Sequence, residues 1–215
     1  MKYTHILSGL IMMILFSCAS ELQQVVISTD MGDITVELYN TTPKHRDNFL
    51  KLVDEGYYEG TLFHRIIKGF MIQAGDPDSK TATSETLLGN GGPGYTIPAE
   101  FKEVHTRGAL AAARQGDAVN PMRESSGSQF YIVDGSQVTE SILSGMENLK
   151  GVRYTQPQKD KYLKEGGLPT LDNEYTVFGQ VISGMDVVDK IASAEKGIAD
   201  RPVKDIRIIS AKRVK

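Results

Sequence analysis

Short apolar segments of strand length, each broken off by glycine, proline or polar turn residues, constrain this chain more than any other feature. Over residues 34–38, Ile34, Val36 and Leu38 alternate with Thr35, Glu37 and Tyr39, so one face of a strand is buried and the other looks outward. Residues 25–28 precede it across the turn Asp30-Met31-Gly32-Asp33. Further strand-like segments run over 61–66, 70–74, 109–113, 129–133, 176–181 and 206–214. One helical pattern comes early. Thr42-Pro43 reads as an N-cap and first helical residue, Phe49, Leu52 and Val53 form the apolar stripe, and Gly56 ends it. Another comes late, over 185–194, with Val187, Val188 and Ile191 on one face. This pattern predicts a mostly β chain: an antiparallel barrel with helices over its open ends, or a sandwich. Closing the sheet would remove the unpaired edges that invite aggregation.

The length of 215 residues suits one domain, or one domain with an insertion. Residues 135–169 have the character of an insertion. They are polar and hold two helical patterns, at 138–149 and 157–164. At the other end, Lys2 precedes an apolar run over 6–16, then Ser17, Cys18 and Ala19. A positive start, a brief apolar core and small closing residues describe an export signal. The run is shorter than the roughly 20 residues needed to span a bilayer. Cys18 is the single cysteine, so no intramolecular disulfide can form. Leu15-Phe16-Ser17-Cys18 resembles the lipobox of bacterial lipoproteins. That resemblance implies a signal peptide at 1–17, a lipidated Cys18, a short linker to residue 24 and a folded domain over 25–215. The expected location is the cell envelope, lipid-anchored, and Ala19 points to the outer membrane facing the periplasm.

Several functions are set aside early. A net charge of −3 gives no electrostatic footprint for nucleic acid. The glycine-rich stretch 88–95 lacks the GK[ST] ending of a phosphate loop and reads as a tight turn. His5, His45, His64 and His105 are scattered without metal-ligand spacing. Neither metal nor cofactor is expected, and nothing calls for more than a monomer.

The informative stretch is Phe63-His64-Arg65-Ile66-Ile67-Lys68-Gly69-Phe70-Met71-Ile72-Gln73-Ala74-Gly75-Asp76. A strand over 70–75 puts residues 71 and 73 on one face, and Arg65 lies on the strand before the turn Lys68-Gly69. From the residues alone this is either a cationic hydrogen-bonding group beside an apolar pocket or a hairpin with an exposed arginine.

The stretch closely resembles the signature of the cyclophilins. Gly127-Ser128-Gln129-Phe130-Tyr131-Ile132 resembles a second motif of that family, and Leu171-Asp172 through Val177-Phe178-Gly179 a third. The similarity runs over 26–214 apart from the insertion. It implies a closed antiparallel eight-stranded barrel capped by two helices, with a partly helical insertion, and peptidyl-prolyl cis-trans isomerase activity on proline-containing polypeptides. In this likeness Arg65 is the catalytic residue, and Phe70, Met71, Tyr131 and Leu171 wall the proline pocket. Gln73 and Gln129 stand beside it, and Ala113 and Arg114 form the edge that takes the substrate backbone. Tyr175 falls where many eukaryotic members have histidine. Thr170 stands where cyclosporin-sensitive members have tryptophan, so weak cyclosporin binding is expected. Tyr131 stands where phenylalanine is usual, and its hydroxyl is expected to make the pocket wall more polar. The alternative to a folding catalyst for exported proteins is a binding module or chaperone without useful catalysis. For the insertion two forms are open: a helical flap beside the groove, or an excursion packed on the barrel.

Overall fold

A computed structural model describes residues 22–214; the expected signal segment 1–17 and Cys18 lie outside those residues. The chain opens with the hairpin β1 (Gln23–Thr29) and β2 (Gly32–Leu38), followed by α1 (Pro43–Asp54). Then come β3 (Arg65–Ile67), β4 (Met71–Ala74), β5 (Thr96–Ile97), β6 (Ala109–Ala112), β7 (Ser125–Ser126) and β8 (Phe130–Val133). The insertion supplies α2 (Glu140–Lys150) and α3 (Gln156–Glu165). The chain closes with β9 (Val177–Ser183), α4 (Met185–Ala192) and β10 (Ile208–Arg213). Eight strands form one antiparallel sheet in the order β10-β1-β2-β9-β6-β8-β4-β3. β5 and β7 pair separately as a two-residue ribbon too short to leave a periodic signal.

The barrel is less closed than expected. Its edge strands β3 and β10 share no ladder. The seam is a single bridge between Leu62 and Arg207, with backbone hydrogen bonds from Gly60 to Ile208, from Ile208 to Thr61 and from Phe63 to Ile206. The cause is local. The Thr61 hydroxyl donates to the Tyr58 carbonyl, and Gly56 and Gly60 take positive φ, so the chain is still turning where the expected strand over 61–66 would begin. That strand is accordingly reduced to Arg65–Ile67.

Alternation along the strands separates two apolar layers. The inward side chains, among them Val25, Ile27, Ile34, Val36, Leu38, Ile66, Ile72, Leu110, Phe130 and Ile132, fill the barrel. α1 covers one opening through Phe49, whose ring lies 5.1 Å from Tyr58, 5.6 Å from Phe130 and 5.4 Å from Phe178. α4 packs Val187, Val188 and Ile191 on the same core. The second layer is on the outer face of β4, β6 and β8, where Met71, Ala109, Ala111, Tyr131 and Val133 cluster. Thr42 does precede α1, but its side chain makes no cap. Glu100 does that instead, accepting from the backbone N–H groups of Lys44 and His45. A carboxylate there also meets the positive end of the helix dipole.

The two helices of the insertion enclose a small core of their own, Val138, Leu143, Val152, Tyr154 and Tyr162. Its ends meet at the barrel. Ser136 and Gly167 exchange backbone hydrogen bonds, Arg107 donates to Gly166, and Leu168 donates to His105. Gly167 has φ +150°, and a Cβ there would lie 2.3 Å from the His105 carbonyl oxygen, so the clasp requires glycine.

Candidate active site

Pairing in the sheet sets the site. Arg65 on β3 is opposite Gln73 on β4, and Gln73 is opposite Tyr131 on β8. Tyr131 in turn is opposite Ala111 on β6. Because these positions share the outer face, the sheet gathers an arginine, a glutamine and an aromatic ring in one row. Met71 enters the same apolar layer from β4. Phe70, Leu171 and Tyr175 pack on it from the loops and are partly exposed. The layer is thus a floor of buried Met71 and Tyr131 with Phe70, Leu171 and Tyr175 at the rim.

The Arg65 side chain is 41 % exposed. Its guanidinium carbon lies 6.0 Å from the centre of the Phe70 ring, at the outer limit of a cation–π contact. Its Nε is 3.8 Å from an oxygen of Asp200. An ion pair that long and that wet contributes little to stability, and the guanidinium keeps donors for a bound group.

A groove of about 890 Å³ continues the site on the far side of Gln73 and Gln129. One bank is the loop Gly89–Thr96, the other the segment after β6 that begins with Ala113 and Arg114. Gln73 donates to Gln129 at 3.0 Å, and Gln129 donates to the Gly91 carbonyl at 2.7 Å. The glycine-rich loop is folded from beneath. Asp76, fully buried, accepts from the N–H groups of Gly89 and Gly91, and a Cβ on Gly91 would lie 2.1 Å from its carboxylate. Two of the N–H groups that a phosphate loop would aim at its ligand are therefore spent on an internal carboxylate.

Ala113 forms wall, since its N–H donates to Gln129 and its carbonyl accepts from Ser126. Arg114 is nearly buried. It stacks 4.6 Å over the Tyr175 ring, donates through Nε to the Glu174 carbonyl and pairs with Asp117 at 2.6 Å. All ten residues expected at the site thus fall on one continuous surface, from Arg65 and the apolar layer across the glutamines to the groove.

One expectation changes. The Tyr131 hydroxyl does not make the pocket polar, because it is turned to His105 Nε2 at 3.0 Å, and His105 is fully buried. Of the two forms open for the insertion, the excursion packed on the barrel fits better: none of residues 135–169 is among the described residues lining the groove, while Leu168 joins the apolar layer. The insertion stands behind that layer. Tyr154 and Tyr162 donate to Asp172 at 2.8 and 2.7 Å, and Asp172 accepts from His105 at 2.8 Å. Burial and the neighbouring Asp172 both raise the pKa of the two tyrosines, so both stay protonated as donors. His105, Asp172, Tyr154 and Tyr162 are absent from the expected site. The one available signal was Tyr131 itself: a buried tyrosine hydroxyl needs a partner.

His64, next to Arg65, is buried, and neither ring nitrogen meets a partner at good geometry among the described residues. Burial lowers its pKa from 6.5, against the pull of Asp76 and of a loose contact with the Leu62 backbone; Arg65 and Arg201 push the same way as burial. His45 is lowered by burial too, with Glu100 opposing. A lowered folded pKa favours the neutral ring, so this stability is present above about pH 6.5 and is lost as pH falls toward the folded values. The melting temperature is expected to stay level from pH 8 to pH 7 and to fall below about pH 6.5, with a smaller fall in His64→Gln. An identical acid response in the variant would remove His64 from the explanation.

Comparison with known proteins follows the same lines. Residues 24–213 match the family model described as cyclophilin type peptidyl-prolyl cis-trans isomerase/CLD. A Staphylococcus aureus protein named as a peptidyl-prolyl cis-trans isomerase is 37% identical over 188 residues, 87% of this chain and 89% of that protein. A Staphylococcus epidermidis protein named likewise is 36% identical over the same shares. Among solved structures, a cyclophilin-type isomerase of Cryptosporidium parvum is similar at a TM-score of 0.66 and 29% identity, covering 90% of this chain and 98% of that one. A second structure of that protein, solved in the presence of the dipeptide Ala-Pro, has a TM-score of 0.64 at 29% identity and covers 88% of this chain and 97% of that one.

Proposed function

Since the chain belongs to the cyclophilin-type peptidyl-prolyl cis-trans isomerases, we propose that it catalyses X-Pro isomerisation in exported polypeptides, with Arg65 as the catalytic residue. The observation that carries this reading is a row across one sheet face: an arginine free to donate, beside a ready-made apolar layer, with a polar groove beyond.

The chemistry follows from the amide. Rotation about a peptide bond meets a barrier of about 18–20 kcal/mol, and X-Pro bonds isomerise in tens to hundreds of seconds. At the midpoint the amide is twisted, resonance is lost, and the prolyl nitrogen regains a lone pair. A hydrogen bond from Arg65 to that nitrogen is stronger in the twisted state than in the planar one, which is what lowers a barrier. Phe70, Met71, Tyr131 and Leu171 hold the proline ring while the carbonyl side turns. Gln73, Gln129, Ala113, Arg114 and Tyr175 bound the path of the rest of the chain. The reaction makes no covalent intermediate. The relative studied in the presence of Ala-Pro supports a proline-containing ligand.

The export reading rests on Lys2, the apolar run and Cys18. In it, a lipid on Cys18 holds the domain to the envelope, on the outer membrane facing the periplasm. Replacing Cys18 by Ser is expected to move the protein from the membrane fraction to the soluble one. Retention of the variant on membranes would rule out that anchor. For the enzyme reading, catalytic amounts of the domain are expected to accelerate the proline-limited refolding of a protein. A response only at stoichiometric amounts would favour the binding module.

A further inference from the structure

The outer apolar layer is tied to the insertion by one buried hydrogen-bonded chain. Its hub is Asp172, which is 1% exposed. One carboxylate oxygen accepts from the backbone N–H and the Nδ1 of His105, both at 2.8 Å; the other accepts from the hydroxyls of Tyr154 and Tyr162. A carboxylate only accepts, so Nδ1 carries the His105 proton, and in the neutral ring Nε2 accepts from the Tyr131 hydroxyl. The rings of His105 and Tyr131 also stack, with centroids 6.1 Å apart and planes 12° from parallel. Tyr131 therefore has its ring fixed by a histidine, which is fixed by a carboxylate, which is fixed by two tyrosines that belong only to the insertion.

A second contact runs along the surface. Lys150, at the end of α2, donates to the Thr170 carbonyl at 2.5 Å and pairs with Glu174 at 3.2 Å. Glu174 in turn pairs with Arg114. The segment carrying Leu171 and Tyr175 is thus held from the same side.

We propose that the insertion 135–169 is a positioning element for the proline pocket, acting through Tyr154 and Tyr162 on Asp172, and through His105 on Tyr131. The proposal rests on the isomerase reading above. Tyr154, Tyr162, Asp172 and His105 are positioning residues, since they act on the pocket only through Tyr131. They set the place of the pocket wall, so their loss weakens the hold on the proline ring and spares the turnover of bound substrate.

The test is steady-state kinetics of the soluble domain, residues 19–215, on a short X-Pro peptide, for wild type, Tyr154→Phe, Tyr162→Phe and the double variant. Phenylalanine keeps each ring and removes only the donor. With one hydroxyl gone, Asp172 still has a donor on that oxygen, so each single change is expected to alter KM by less than about twofold. The double variant is expected to raise KM about tenfold with kcat within about twofold. Combined with Tyr131→Phe, the double change is expected to cost less than the product of the separate effects. Leu52→Ala, in the barrel core on α1 and away from the insertion, is the stability control, expected to lower the melting temperature at an unchanged KM.

An unchanged KM in the double variant overturns the proposal, as does an equal rise in KM for Leu52→Ala at equal loss of stability. A wild-type domain that is folded and inactive fails the isomerase reading instead, so the two failures are distinguishable.

Discussion

Replacing Arg65 by Ala is expected to lower kcat/KM for an X-Pro peptide by about 10- to 150-fold while the fold is kept. The figure follows from the bond that is lost. A hydrogen bond to a charged donor is worth about 1.5–3 kcal/mol, and each 1.36 kcal/mol is a tenfold change in rate. The bond exists only when the prolyl nitrogen is twisted out of conjugation, so the loss falls on kcat. Stability should hardly change, because the side chain is 41% exposed and its contact with Asp200 is 3.8 Å long. Arg65→Lys is not expected to restore the rate, since a compact ammonium lacks the planar fork of donors. Kinetics and a thermal melt on the same samples check both halves. A variant that loses activity only in step with unfolding would contradict the assignment.

The second large effect is on stability. Asp172→Ala is expected to cost about 3–5 kcal/mol, comparable to breaking a buried ion pair from one side. It strips the acceptor from the backbone N–H and ring of His105 and from the hydroxyls of Tyr154 and Tyr162, in a place that water does not reach. For a domain of this size that corresponds to a fall of roughly 6–20 °C in melting temperature. Asp172→Asn should recover only part of it, because the amide turns a second donor toward donors. A melting temperature within about 2 °C of wild type would mean that the hub contributes little.

The barrel was legible in the sequence wherever alternation was long enough to read. Val25 to Leu38 announced the first hairpin, and the apolar stripes of Phe49 and Val188 announced both covering helices. The seam was not, because it depends on turns near Gly56 and Gly60 and on single backbone contacts between Leu62 and Arg207. The ribbon of β5 and β7 is too short for any period to appear.

At the site, Met71 and Gln73 could be placed on one face by counting and Arg65 on the strand before the turn, whereas Phe70 entered only through the resemblance. The partners of Tyr131 could not be placed by counting. His105, Asp172, Tyr154 and Tyr162 come from three separate stretches, and no local spacing records that the fold brings them together. The wrong expectation of a more polar wall had the same origin. A hydroxyl can be read from sequence, whereas the direction in which it points depends on the partner.

The most direct test of the central claim is exchange spectroscopy by NMR on a short X-Pro peptide with a small amount of the domain 19–215. Cis–trans exchange is observed at equilibrium, so catalysis is separated from binding. Exchange cross-peaks are expected that are absent for the peptide alone and that fade when Arg65→Ala replaces the wild type. Peptide resonances that shift on binding while cis and trans forms remain unexchanged, with a well-folded wild-type domain, would contradict it.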